Sequence, residues 1–184
     1  MSDPGYPYDE TDDLRHGPDL HPSLLPLLPY IGTWRGTGKG GYPTIEDFDY
    51  AQEIRLSHDG RPFLAYESRA WIIDDEGRPQ RPAAREVGWW RMQPKVEGGS
   101  DGDDLEVLLA HPTGIVEVYY GRVTGTKVEM ATDAVLRTAT AKEVTANRRL
   151  YGLVEGDLMY AADMAAVGLP LTPHLSARLG RIAG

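Results

Sequence analysis

Five histidines are the only nitrogen ligands that this 184-residue chain can offer a metal, and there is no cysteine to assist them. Disulfides, a thiolate zinc site, a cysteine nucleophile and cysteine-ligated iron are therefore excluded. His16 and His21 lie in or beside an acidic N-terminal stretch and His58 in a turn, so these three read as solvated. His111 opens the turn His111-Pro112-Thr113-Gly114, where its imidazole can satisfy turn carbonyls or act as a ligand. His174 stands apart, in the largely apolar run Gly168-Leu169-Pro170-Leu171-Thr172-Pro173-His174-Leu175-Ser176-Ala177-Arg178-Leu179. Neutral imidazole is the form that binds a metal. By residue chemistry alone a buried structural histidine is the more frequent reading. Neither a G-x-S-x-G elbow nor H-E-x-x-H occurs, so no nucleophile, base and orienter can be assembled. Carboxylate pairs abound, but on strands they alternate with the core face and read as solvated.

Gly36-Thr37-Gly38-Lys39-Gly40-Gly41 satisfies G-x-G-x-x-G, which marks a dinucleotide site only where it opens a helix. Tyr42-Pro43 follows and biases the chain away from helix. The motif reads instead as a glycine-rich passage where the first strand runs close under other backbone. Trp34, flanked by small residues in Gly32-Thr33-Trp34-Arg35-Gly36-Thr37-Gly38, reads as the plug at the closed end of a β-barrel.

The elements that must position these residues follow from length and pattern. At about 150 residues per domain, the chain is one domain. Residues 1–20 hold six acidic residues against Arg15 and predict a disordered acidic tail, leaving 21–184 as the folded domain. Pro94 to Asp104 has the composition of a long surface loop. Between these, turn clusters cut the chain into short alternating segments, predicting strands near 32–39, 49–57, 62–73, 83–91, 105–111, 115–122, 126–132, 134–139, 142–154 and 157–166. Consecutive antiparallel strands with short connections most simply meander into an all-β, ten-stranded up-and-down barrel of the lipocalin and fatty-acid-binding-protein type, with interior room for a ligand. The net charge of -9 disfavours phosphate backbones and anionic lipid, so neither nucleic acid nor a membrane is an expected partner. The N-terminus has no basic or apolar leader, and the expected location is cytoplasmic.

Four stretches taken together resemble the nitrobindin family: GTWRGTG at 32–38, YPTI at 42–45 with the 48–69 hairpin, AHPTG at 110–114, and GLPLTPHLSARL at 168–179. The resemblance spans residues 22–182 and implies a ten-stranded barrel carrying one haem b per chain. It further implies that His174, in the closing P-H-L segment, is the proximal iron ligand, and that Thr44 and, more weakly, Lys39 contact the haem. Many relatives carry a further histidine at the position held here by Ala84, so its role does not transfer.

What the resemblance implies for activity is a peroxynitrite isomerase that forms nitrate at ferric iron and binds nitric oxide in the ferrous state. That Lewis-acid chemistry needs no acid/base dyad. Pairing of two barrels as a homodimer is left open. The competing expectation is a lipid carrier using the same cavity, with Arg69, Arg91, Arg148 or Tyr119 meeting the carboxylate head.

Overall fold

Apolar side chains at alternate positions from Gly32 onward turn one face of the chain inward, and ten antiparallel strands result. The computed structural model describes residues 5, 9–94 and 103–184. In chain order the strands are β1 (Gly32–Tyr42), β2 (Ile45–Ser57), β3 (Leu64–Ile73), β4 (Pro79–Met92), β5 (Asp103–His111), β6 (Ile115–Thr124), β7 (Lys127–Arg137), β8 (Val144–Val154), β9 (Asp157–Ala166) and β10 (Thr172–Ala183). Each pairs with the next, and β1 pairs with β10, closing the meander into a barrel as expected. Closure leaves no open sheet edge.

Two strand assignments change within that number. Segments 126–132 and 134–139 are the single strand β7, in which the pairing with β6 skips Asp133. A bulge, rather than a turn, interrupts the alternation there. The tenth strand is Thr172–Ala183, so His174 lies inside a strand and not beyond the last one. Pro170 and Pro173 hide this strand in the sequence, although Ala177 and Leu179 point inward between outward Ser176 and Arg178.

One end of the barrel is sealed by a 3-10 helix, Pro22–Tyr30, which buries Leu24, Leu27 and Tyr30. The Tyr30 hydroxyl donates to the Thr126 carbonyl at 2.7 Å. Trp34 fills the role expected of it: buried, it donates from Nε1 to the Tyr30 carbonyl at 2.9 Å, with the Arg181 guanidinium 4.0 Å over its ring. Deeper in the lumen Trp90 stacks on Tyr66 and meets Tyr151 edge-on, so aromatic rings fill this half of the interior.

Residues 10–12 depart from a free tail. Thr11 and His58 exchange both backbone hydrogen bonds at 2.8 Å, Glu10 accepts from Arg55 and Ser57 at 2.6 Å, and Asp12 accepts from Thr33. This bridge covers His58, which is buried rather than solvated. Residues 1–4 and 6–8 of the expected tail and 95–102 of the expected loop lie outside the described residues.

The ladder that closes the barrel depends on glycine. A Cβ at Gly36 would overlap the Arg178 carbonyl oxygen, and one at Gly38 the Ser176 carbonyl oxygen. The glycine-rich motif is thus a close backbone passage inside a strand and opens no helix. Gly36→Val is expected to destabilise the barrel by about 2–3 kcal/mol, the range of an overpacked core site, whereas Thr37→Val on the outer face changes little. Urea denaturation of the two variants checks this.

Candidate functional site

The end opposite the helical plug carries the turns that follow β1, β3, β5, β7 and β9. Here Pro173 pairs with Asp163 and Leu175 with Ala162, which makes His174 the extra residue of a β-bulge. Its Nδ1–H donates to the Gly41 carbonyl at 2.9 Å. A carbonyl only accepts, so this bond fixes the tautomer and leaves the lone pair of the neutral ring on Nε2. Nε2 has no hydrogen-bond partner among the described residues. The Tyr42 ring meets the imidazole edge-on, with centroids 5.7 Å apart and planes at 79°.

A pocket of about 910 Å³ opens beside this histidine, lined on its apolar side by Tyr42, Phe48, Ile73 and Leu175. Its volume is typical of small-molecule and cofactor sites. Lys39 lies on the same wall, bonded to Asp49 at 2.7 Å. Thr44 is exposed in the adjoining turn and is not among the lining residues. The structure therefore brings His174 and Lys39 to one pocket and leaves Thr44 beside it.

Inside the barrel lies a charged cluster that reading strand carboxylates as solvated had missed. Arg149 of β8 grips Glu86 of β4 through two hydrogen bonds at 2.7 and 2.8 Å. Its Nε donates to the Tyr119 hydroxyl at 2.9 Å, and that hydroxyl donates to Glu117 at 2.8 Å. His111 Nε2 sits 2.9 Å from the same Glu117 carboxylate, which also accepts from the Asn147 amide. His111 is thus a member of the cluster and not a turn residue bonding its own carbonyls. Burial alone would raise both carboxyls; at Glu86 the Arg149 charge outweighs it, and at Glu117 the His111 hydrogen bond together with Arg149 does so. Both are held below the usual carboxylate range. Two-residue spacing was the available signal, since Glu86 shares a face with Gly88 and Trp90, and Arg149 with Tyr151.

This cluster bears on the lipid expectation. Arg69, Arg91 and Arg148 all face outward, beside Glu67, Glu106 and Glu129 respectively. The buried arginine is Arg149, already committed to Glu86, and Tyr119 is committed to Glu117. No uncommitted cation awaits a fatty-acid carboxylate in the interior formed by the described residues. Of the remaining histidines, His16 lies beside Asp13 and His21 caps the 3-10 helix by accepting from the Ser23 amide.

A closed up-and-down barrel, plugged at one end and offering beside a pocket at the other an imidazole oriented through Nδ1, defines a class of cofactor-binding barrels. Residues 23–181 match the family described as the THAP4-like, heme-binding beta-barrel domain. The chain is 65% identical over 179 residues to a protein of Salinispora tropica named peroxynitrite isomerase, covering 97% of this chain and 90% of that one. It is 46% identical to a ferric nitrobindin-like protein of Nocardia farcinica, covering 96% of this chain and 74% of that one. The crystal structure of Rv2717c from M. tuberculosis superposes with a TM-score of 0.75 at 39% identity, covering 89% of this chain and 99% of that one. The chain belongs to the nitrobindin family of haem-binding β-barrels.

Removing the guanidinium would leave the buried Glu86 carboxylate without its cation and take one partner from Glu117. Arg149→Met is expected to destabilise the protein by about 3–5 kcal/mol. In the native chain the stability contributed by Glu86 and Glu117 is complete above the ordinary carboxylate range and is lost as pH falls through their lowered values. In the variant the dependence reverses, because an unpaired buried carboxylate gains from protonation. Urea midpoints at neutral and mildly acidic pH for both proteins test the magnitude and the sign.

Proposed function

We propose that His174 Nε2 is the protein ligand of one haem b per chain, that the ferric protein isomerises peroxynitrite to nitrate, and that the ferrous protein binds nitric oxide. The observation carrying this reading is the His174 ring itself, committed through Nδ1 to Gly41 and uncommitted at Nε2 beside a pocket of about 910 Å³. The residues fit the group. A lone imidazole nitrogen suits a metal whose other bonds come from a macrocycle, and Phe48, Ile73 and Leu175 give that macrocycle an apolar wall. Lys39 is the nearest cation for a peripheral carboxylate, and Thr44 is a weaker contact because it stands outside the lining. Family membership and the name borne by the 65% identical relative support the activity.

Haem, once bound, would supply Lewis-acid chemistry of the kind that weakens a peroxy bond. The chain's part is to hold and tune. His174 donates its Nε2 lone pair, and the Gly41 carbonyl, by accepting the Nδ1 proton, fixes the ring and raises its basicity. Isomerisation consumes no proton, so the site requires no acid or base from the protein. Asp47, Asp49, Asp75 and Asp163 line the pocket against the single cation Lys39, so the local field opposes an approaching anion. A cytoplasmic site of action is part of this reading, and no helix among the described residues is long and apolar enough to cross a membrane.

A homodimer belongs to this proposal, through the outer face of β4 to β7. Two paired rows there are apolar throughout, Val87-Ala110-Val116-Leu136 and Trp89-Leu108-Val118-Ala134. Trp89 and Leu136 are 52% and 65% exposed. A contiguous patch of this kind marks a contact surface, and a second copy offers the matching face. Trp89→Asp is expected to give a monomer that still binds haem; an unchanged sedimentation coefficient argues against this face.

For the site, His174→Ala is expected to abolish stable haem binding while far-ultraviolet circular dichroism stays that of the barrel. Haemin titration followed at the Soret band decides it, and unchanged affinity sinks the assignment. For the activity, ferric holoprotein should speed peroxynitrite decay in stopped flow, cyanide should suppress the effect, and added salt should raise the rate by screening the acidic field. Equal acceleration by apoprotein would exclude haem as the catalyst.

A further inference from the structure

The pairing between β1 and β10 ends at Gly40 and Leu175, one residue short of the bulge that frees His174. Beyond that point the start of β10 is held on one side only, by β9 through the pairs Thr172–Met164 and Pro173–Asp163, and has no ladder to β1. Tyr42, the last residue of β1, supplies a side-chain substitute. In the barrel β10 lies between β1 and β9. The Tyr42 hydroxyl nevertheless reaches β9, where it accepts from the Ala166 amide at 3.0 Å and lies 3.1 Å from the Met164 carbonyl and 3.3 Å from the Ala166 carbonyl, either of which can accept its proton. Met164 is the ladder partner of Thr172, so the hydroxyl bonds to the backbone that β10 itself leans on. The ring that bridges this gap is 7% exposed, and it is the ring set edge-on to His174.

We propose that Tyr42 is a positioning residue for His174: its side chain straps β1 to β9 around the bulge and holds the imidazole in the orientation in which Gly41 takes the Nδ1 proton. Gly41 and Tyr42 are consecutive, so one segment of β1 fixes the histidine twice, through a carbonyl at the ring nitrogen and through a T-shaped ring contact. The hydroxyl secures that segment from the far side. The strap also accounts for a buried phenol at an otherwise open mouth, since a hydroxyl in this apolar corner needs partners and has three within reach. This inference rests on His174 being the haem ligand, and its consequence reaches the iron only through that ring.

The test uses Tyr42→Phe, which keeps the ring and removes the strap, and Tyr42→Leu, which removes both. Transfer of haemin to excess apomyoglobin should be roughly 10-fold faster for Tyr42→Phe and faster again for Tyr42→Leu, the scale seen when partners of a metal-bound histidine are removed. The iron–histidine stretching frequency of the reduced protein should shift in both variants, which a purely structural role would not produce. Amide exchange at Ala166 should rise in both. If exchange at Ala166 rises while the haemin loss rate and the stretching frequency match the native protein, Tyr42 is only a sheet staple and the inference is overturned. A readout without haem separates this from failure of the site assignment: in the native apoprotein, nitrogen-15 spectra should show one His174 tautomer with a slowly exchanging Nδ1 proton. A ring averaging between tautomers in the native apoprotein overturns the inference even where the variants fail to fold, and native protein that takes up no haemin overturns the site assignment.

Discussion

Everything at the open end of this barrel hangs on the ladder between the first strand and the last. Without β1 against β10 the sheet would be an open meander with two exposed edges and His174 on one of the edge strands. The ladder is tight enough that Gly36 and Gly38 leave no room for a Cβ beside the carbonyls of Arg178 and Ser176. Its reach along β1 also sets the chemistry, because Gly41 and Tyr42 stand at its end and meet the histidine there. A motif that mimics a phosphate-binding loop is thus explained as the requirement for closing a cylinder at close backbone range.

The interior charge cluster poses the opposite problem, since burying Glu86, Glu117 and Arg149 carries a large desolvation penalty that only complete pairing offsets. The pairing is close to complete. Arg149 uses Nε and both terminal nitrogens, Glu117 meets His111, Tyr119 and Asn147, and Glu86 also accepts from Tyr66 at 3.1 Å. Directional bonds from β4, β5, β6 and β8 converge on one point, which gives the lumen a specificity that apolar packing would not. The result is a barrel interior spent on internal bonds, with the cofactor-sized pocket left at the rim.

How much of this was legible in the sequence depends on whether the information is local. Two-residue alternation gave most strands, the plug role of Trp34 and the hairpin of β2 and β3, because face alternation is a property of the chain itself. The bulge at Asp133 broke that alternation and made one strand look like two. Pro170 and Pro173 hid β10, since prolines at the entry of a strand are tolerated but resemble a loop. The singling-out of His174 came from its apolar neighbours, whereas its hydrogen bond to Gly41 joins residues far apart in sequence and could not be read locally. Arg149 was passed over for Arg148 because adjacent arginines differ only in which face the ladder assigns them. His58 read as solvated for a related reason, as its cover comes from Thr11 in a segment whose composition argues against order.

A histidine set in a bulge resolves a geometric conflict. In the regular ladder of β10 an inward side chain, such as Ala177 or Leu179, is sealed within the core, and an outward one, such as Ser176 or Arg178, is left in water. Outward Ser176 and Lys39 reach the pocket wall, but the half-buried position between the two environments belongs to the bulge. The extra residue between Pro173 and Leu175 escapes both assignments: half-buried, it is held at Nδ1 by the Gly41 carbonyl and set against the Tyr42 ring. Bulges bend a strand and raise its local twist, which re-aims the side chain they carry, and His174 lines the pocket there. The site is therefore built where the regular fold stops, and the closing seam keeps it in place.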